Sequence, residues 1–199
     1  MSILHLSDTH AQHHKMQNLP KADVIIHSGD ITLAGTGEEV TDFIDWFDDL
    51  DYRHKIFVAG NHDDCLDGKN IQSFLPDNMY YLCESGVEID GIKFWGIPYF
   101  ISYELRMEKY QYALDTVPRN TNVLITHRPP LGILDRSGHI TFGCPDLLQK
   151  VLEIKPKYHL FGHIHDAYGS EKSHDTAFYN SAVLNERYDF VNKPVTINL

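Results

Sequence analysis

At 199 residues and 42% hydrophobic side chains, the chain is long enough for one sizeable core and short for two, so a single domain over 1–199 is expected. Its 28 acidic against 17 basic residues give a formal charge of -11, a field that repels long polyanions and argues against duplex nucleic acid as a partner. Cys65, Cys83 and Cys144 lack paired spacing, no apolar run nears the roughly 20 residues of a membrane span, and Met1 runs straight into Ile3-Leu4-His5-Leu6 without a leader pattern; reduced thiols, no membrane partner and a cytoplasmic location are expected.

Along the chain, short apolar runs rich in β-formers stop abruptly at Asp, Asn or His. The run 3–6 leads into Ser7-Asp8-Thr9-His10, and 24–27 leads into Ser28-Gly29-Asp30. Val40, Phe43, Ile44 and Phe47 predict a helix over 38–50, whose aspartates form its solvated face. The run 56–59 then leads into Gly60-Asn61-His62-Asp63. Asp90-Gly91 between alternating apolar residues predicts a hairpin over 88–94, and a second helix is expected over 104–114. Val123-Leu124-Ile125-Thr126 stops at His127, a helix is expected over 145–152, and Tyr158-His159-Leu160-Phe161 stops at Gly162-His163-Ile164-His165. Closing strands are expected over 176–181 and 195–199. Open α/β sheets bind ligands beyond the carboxyl ends of their strands, so five strand ends could converge on one site of a two-sheet α/β sandwich with helices outside.

Those ends carry two carboxylates (Asp8, Asp30), one amide (Asn61) and four imidazoles (His10, His127, His163, His165). The mixture suits manganese, iron or zinc better than calcium or magnesium, and seven ligands exceed the needs of one ion. Two neighbouring cations repel and want an anionic bridge, for which Asp30 is suited; a water they share is acidified and becomes the nucleophile near neutral pH. His62, beside Asn61, is placed to protonate the leaving alkoxide.

Asp8-x-His10, Gly29-Asp30, Gly60-Asn61-His62-Asp63, His127 and Gly162-His163-Ile164-His165, in that order, resemble the signature of the calcineurin-like metallophosphoesterase superfamily. The resemblance implies a four-layer α/β/β/α sandwich with two mixed β-sheets. It also implies one metal on Asp8, His10, Asp30 and His165, another on Asp30, Asn61, His127 and His163, and His62 beside the substrate. Thr126-His127-Arg128-Pro129-Pro130-Leu131-Gly132 and Gly91 to Pro98 are similar to a narrower branch, the animal metallophosphoesterase-domain proteins related to class III cyclic-nucleotide phosphodiesterases. That branch implies a small phosphodiester as substrate, cyclic nucleotides among the candidates. A phosphomonoester, a pyrophosphate bond, single-stranded nucleic acid, or a non-catalytic metal-binding scaffold is the alternative.

The superfamily's protein phosphatases follow Gly-Asp with an acidic residue and an Arg, and the acidic residue orients the catalytic His. Here Ile31-Thr32-Leu33-Ala34 stands there, which disfavours a phosphoprotein substrate and leaves adjacent Asp63 as the candidate partner of His62. Arg128 and His139 are candidate substrate contacts, the first by a two-pronged grip on phosphate and the second from a Gly-rich loop. His5, His27 and His159 sit within apolar runs and read as hydrogen-bonded core histidines; His13, His14, His54 and His174 read as solvent-facing. Trp95, Tyr99, Phe100 and Tyr103 read as core or hairpin residues.

Overall fold

The computed structural model of the chain describes residues 1–199, the side chain of Glu104 excepted. In chain order its elements are β1 (Ser2–Leu6), β2 (Val24–His27), α1 (Gly37–Asp48), β3 (His54–Phe57), β4 (Met79–Tyr81), β5 (Ser85–Ile89), β6 (Ile92–Ile97), α2 (Ile101–Leu105) and α3 (Met107–Asp115). There follow β7 (Val123–Thr126), β8 (Arg136–Ser137), β9 (Ile140–Thr141), α4 (Pro145–Ile154), β10 (Tyr158–Phe161), β11 (Gly169–Ser173), β12 (Thr176–Asn180) and β13 (Val195–Asn198).

Strands buried on both faces need apolar side chains at odd and even positions alike, and the central runs have them. One parity, including Ile3, Val24, Ile26, Ile56, Val123, Ile125 and Leu160, forms the core between two stacked sheets. The other parity, including Leu4, Ile25, Phe57, Leu124 and Phe161, packs with helix residues such as Phe43, Phe47, Leu147 and Val151. The expected four-layer α/β/β/α sandwich is what forms. One sheet runs β13-β1-β2-β3-β4 and the other β11-β12-β10-β7-β6-β5, with β8-β9 a separate hairpin. β1 to β4 are mutually parallel, as are β6, β7, β10 and β12, while β13, β11 and β5 are antiparallel edges.

The sheets are stitched together at the carboxyl ends of their parallel strands. Ser7 N–H donates to the Ser181 carbonyl, and Val183 N–H donates to the Ser7 carbonyl, both at 3.0 Å, so the chain leaving β12 lies beside the chain leaving β1. α1 opens on a capping box in which Thr36 Oγ1 accepts from Glu39 N–H and the Glu39 carboxylate accepts from Thr36 N–H, a device that fixes where a helix starts. The hairpin at Asp90-Gly91 turns with φ of 49° and 79°, as a primed turn requires.

The helix expected over 104–114 is two helices. Arg106 leaves helical space at φ -136° and ψ 81°, turning α3 back on α2 so that Lys109 Nζ donates to Ser102 Oγ at 3.0 Å and the Tyr103 and Tyr110 rings meet at 5.7 Å. The three cysteines are free thiols, and among the described residues no helix is long and apolar enough to cross a membrane.

Candidate metal centre

Five strand ends meet at one edge of the sandwich, the β1, β2 and β3 ends supplying Asp8, His10, Asp30 and Asn61 and the β7 and β10 ends supplying His127, His163 and His165. All seven predicted ligands come together there. His165 Nε2 is 3.5 Å from Asp8 Oδ1 and 3.3 Å from His10 Nε2. His127 Nε2 is 3.3 Å from Asp30 Oδ2 and 3.2 Å from Asn61 Oδ1. Asp30 Oδ2 also lies 3.6 Å from His10 Nε2. The donors of Asp8, His10 and His165, and those of Asp30, His127 and His163, form two groups each within 4.8 Å.

The backbone is bent to achieve this. Asp8, His10, Asp30 and His163 all have positive φ, between 42° and 70°, a conformation that strains residues with a Cβ and persists where surroundings fix it. Those surroundings include close glycine approaches. A Cβ on Gly162 would stand 2.1 Å from Asp8 Oδ2, and one on Gly60 would stand 2.2 Å from Asp30 Oδ1.

Hydrogen bonds to the opposite ring nitrogens aim the imidazoles. A carbonyl can only accept, so His127 Nδ1–H donates to Ser28 O at 2.8 Å and His165 Nδ1–H donates to Asn185 O at 2.9 Å, which turns each Nε2 toward the carboxylates. Asp8 accepts from His163 N–H at 3.0 Å, and Asp30 Oδ1 accepts from His62 N–H at 2.9 Å. Burial alone would raise both acids, yet His165, His127 and His10 hold Asp8 well below the usual carboxylate range, and His127 and His10 do so for Asp30. Burial opposes charge on His127 and His165 too, but Asp30 and Asp8 push them up to about 9. Two sealed carboxylates thus demand neighbouring positive charge, and the inward nitrogens and oxygens form a donor set that borderline transition ions fit.

His62 borders the cleft with its ring 4.6 Å from that of His10. Its Nδ1–H donates to the Leu33 carbonyl at 2.9 Å, so a backbone oxygen holds the ring at the position where the protein phosphatases use an acid. Asp63 does not. Its buried carboxylate points the other way and accepts from Gly60 N–H (2.8 Å), Thr32 N–H (2.9 Å), Ile31 N–H (3.2 Å) and Thr32 Oγ1–H (2.7 Å), because three convergent amides outcompete one half-buried ring. Burial, then the charge of Asp30, pushes it up to about 6.

Neither candidate substrate contact lines the ≈ 270 Å³ cleft. Arg128 donates from Nε to Phe142 O at 3.1 Å with its guanidinium over the Tyr99 ring. His139 is exposed at the tip of the β8–β9 hairpin. That hairpin brings Ser137 and Phe142 to the cleft instead, and the segment after β12 brings Glu186 and Tyr188. The Tyr188 ring stands edge-on to His10 at 4.8 Å, and Glu186 accepts from Ser137 Oγ–H at 2.5 Å. No strand-end pattern marks these four; the Gly-rich loop around His139 pointed to the hairpin that carries Ser137 and Phe142, and nothing pointed to Glu186 or Tyr188.

Residues 1–167 match the family described as Calcineurin-like phosphoesterase. The chain belongs to that family. This calcineurin-like phosphoesterase is 37% identical to UPF0046 protein K07C11.7 of Caenorhabditis elegans over 98% of its own length and 74% of that protein's. It is 33% identical to Metallophosphoesterase domain-containing protein 1 of Homo sapiens over 98% and 69%. Among solved structures, one crystal structure superposes with a TM-score of 0.66 at 14% identity over 91% of this chain and 90% of that one. Another, GAP50, described as the anchor in the inner membrane complex of Plasmodium, gives 0.52 at 13% over 92% and 71%; both likenesses concern the fold. Membership makes the chain a metal-dependent phosphoesterase.

Proposed function

We propose that this phosphoesterase hydrolyses small phosphodiesters, cyclic nucleotides among them, at the cleft floored by Asp30. One observation carries the reading: Asp30 Oδ2 lies between imidazole nitrogens of both donor groups, 3.6 Å from His10 and 3.3 Å from His127. On this reading Asp8, His10, Asp30 and His165 hold one ion, and Asp30, Asn61, His127 and His163 the other, with manganese, iron or zinc as the candidates. Bound there, two ions would polarise the phosphate, offset developing negative charge and acidify water for attack.

The chain's own residues supply the rest. His62, held through Nδ1–H by the Leu33 carbonyl, turns Nε2 to the departing alkoxide; with a proton on both nitrogens the ring would give up the Nε2 proton to it and be left as the neutral Nδ1–H form. Ser28 and Asn185, through their carbonyls, keep His127 and His165 in the tautomer that points Nε2 inward. Glu186 at the rim, with Asp166 sharing the Ser137 hydroxyl, disfavours polyanions, and ≈ 270 Å³ suits a small ligand. With manganese supplied, bis-p-nitrophenyl phosphate should be cleaved faster than p-nitrophenyl phosphate; the opposite ranking would overturn the diester reading. A panel of 2′,3′- and 3′,5′-cyclic nucleotides then defines the substrate.

A further inference from the structure

A second cluster of metal-type donors lies outside the cleft, where the turn at His13–Lys15 packs on α1. His13, expected at the surface, is fully buried, its ring 5.0 Å from Trp46 and 5.6 Å from Phe43. Its Nε2 is 3.1 Å from Asp42 Oδ2 but off the line for a hydrogen bond, and neither ring nitrogen has a hydrogen-bond partner among the described residues. The other oxygen of the same carboxylate, Oδ1, is 3.0 Å from His14 Nε2. The donor atoms of all three residues lie within 4.8 Å of one another.

A sealed imidazole that faces a carboxylate without a well-aligned hydrogen bond is satisfied by an ion held between the two. Atoms bound to one ion at about 2.0–2.1 Å stand roughly 2.8–3.4 Å apart when their bonds meet at right to tetrahedral angles, and both His–Asp pairs, at 3.1 and 3.0 Å, fall in that range. The His14 and Asp42 side chains are 58% and 53% exposed, so an ion can arrive from solvent and water can complete its shell. Two imidazoles with one carboxylate favour borderline transition ions over calcium or magnesium.

We propose that His13, His14 and Asp42 form an accessory site for zinc or a similar late first-row divalent cation, clamping the turn that follows His10 onto α1. The site stands independently of the reading of the cleft.

Trp46 provides a local reporter. The metal-free chain is dialysed against zinc, and separately titrated with nickel, beside a His14→Ala/Asp42→Asn double variant altered at two exposed positions outside the cleft. The expected result is one more zinc per chain in the wild type than in the variant. Nickel should quench part of the tryptophan emission in the wild type alone, and Trp46→Phe should remove that quenching while keeping the extra zinc. Equal zinc content in wild type and variant, or quenching that survives in the variant, overturns the proposal. If circular dichroism shows the double variant unfolded, His14→Ala alone decides by the same two readouts.

Discussion

Asp63→Ala separates two accounts of the residue beside His62. The side chain is fully buried and accepts from the backbone N–H groups of Gly60, Ile31 and Thr32 and from the Thr32 hydroxyl, tying the loop of Asn61 and His62 to the loop of Asp30. Removing it orphans three buried amides at about 1–3 kcal/mol each, about 6 kcal/mol in the middle of that range. Against this stands relief from burying a carboxylate. Its pKa is raised from 3.8 to about 6, so at pH 7, above both values, the ionised form carries the whole shift as a cost of about 3 kcal/mol. The net expectation for the metal-free chain at pH 7 is a loss of about 3 kcal/mol, read from urea unfolding curves of wild type and variant. Because the Leu33 carbonyl still holds His62, turnover of a diester at saturating manganese should fall no more than about tenfold once the folded fraction is taken into account. Unchanged stability with turnover down a hundredfold or more would make Asp63 the orienting group and refute this account.

His62→Ala should keep its metal content by elemental analysis and slow turnover by about 10²–10⁴-fold; an unchanged rate removes His62 from proton transfer. Gly162→Ala sets a Cβ 2.1 Å from Asp8 Oδ2, so metal affinity measured by chelator competition should weaken at least about tenfold, and wild-type affinity would show that Asp8 has room to move. His159 is buried, with Nε2 on Thr126 Oγ1 at 2.9 Å, and burial pushes it down to about 3. The unfolded chain therefore protonates first: stability is complete above the unfolded value near 6.5 and is lost as pH falls from there toward 3, about 2 kcal/mol at pH 5. His159→Gln should flatten the fall between pH 7 and 5 by that amount in urea unfolding, and parallel curves would contradict it.

The strand-end ligands were legible because one constraint governs each: a buried parallel strand reads as an apolar run, and a polar residue at its exit is visible against it. Asp8, Asp30, Asn61, His127, His163 and His165 all follow that rule, and His10 lies two residues beyond Asp8. Leu33 was not legible as the partner of His62, since it acts through a carbonyl that every residue possesses. Tyr188 and Glu186 reach the cleft only because residues 181–183 pair with Ser7 across the sheets, a contact spanning most of the sequence. Asp63 misled for a related reason, since adjacency to His62 says nothing of the amides waiting on its other side. His13 looked exposed because its neighbours are polar, whereas its own ring completes the packing of Phe43 and Trp46.

Histidines crowd this edge of the sandwich, and their partners sort them. His5 pairs with the hydroxyls of Ser28 and Ser181, and His27 pairs with that of Thr9; like His159, both are pushed by burial down to about 3 and stay neutral. A hydroxyl satisfies a neutral ring without inviting charge. His127 and His165 are buried too, but they face carboxylates and are pushed up to about 9, because an acid sealed from water pays its desolvation only beside a cation. Hydroxyl-paired rings therefore hold the fold, while His127 and His165, closest to the two sealed acids, mark where positive charge belongs.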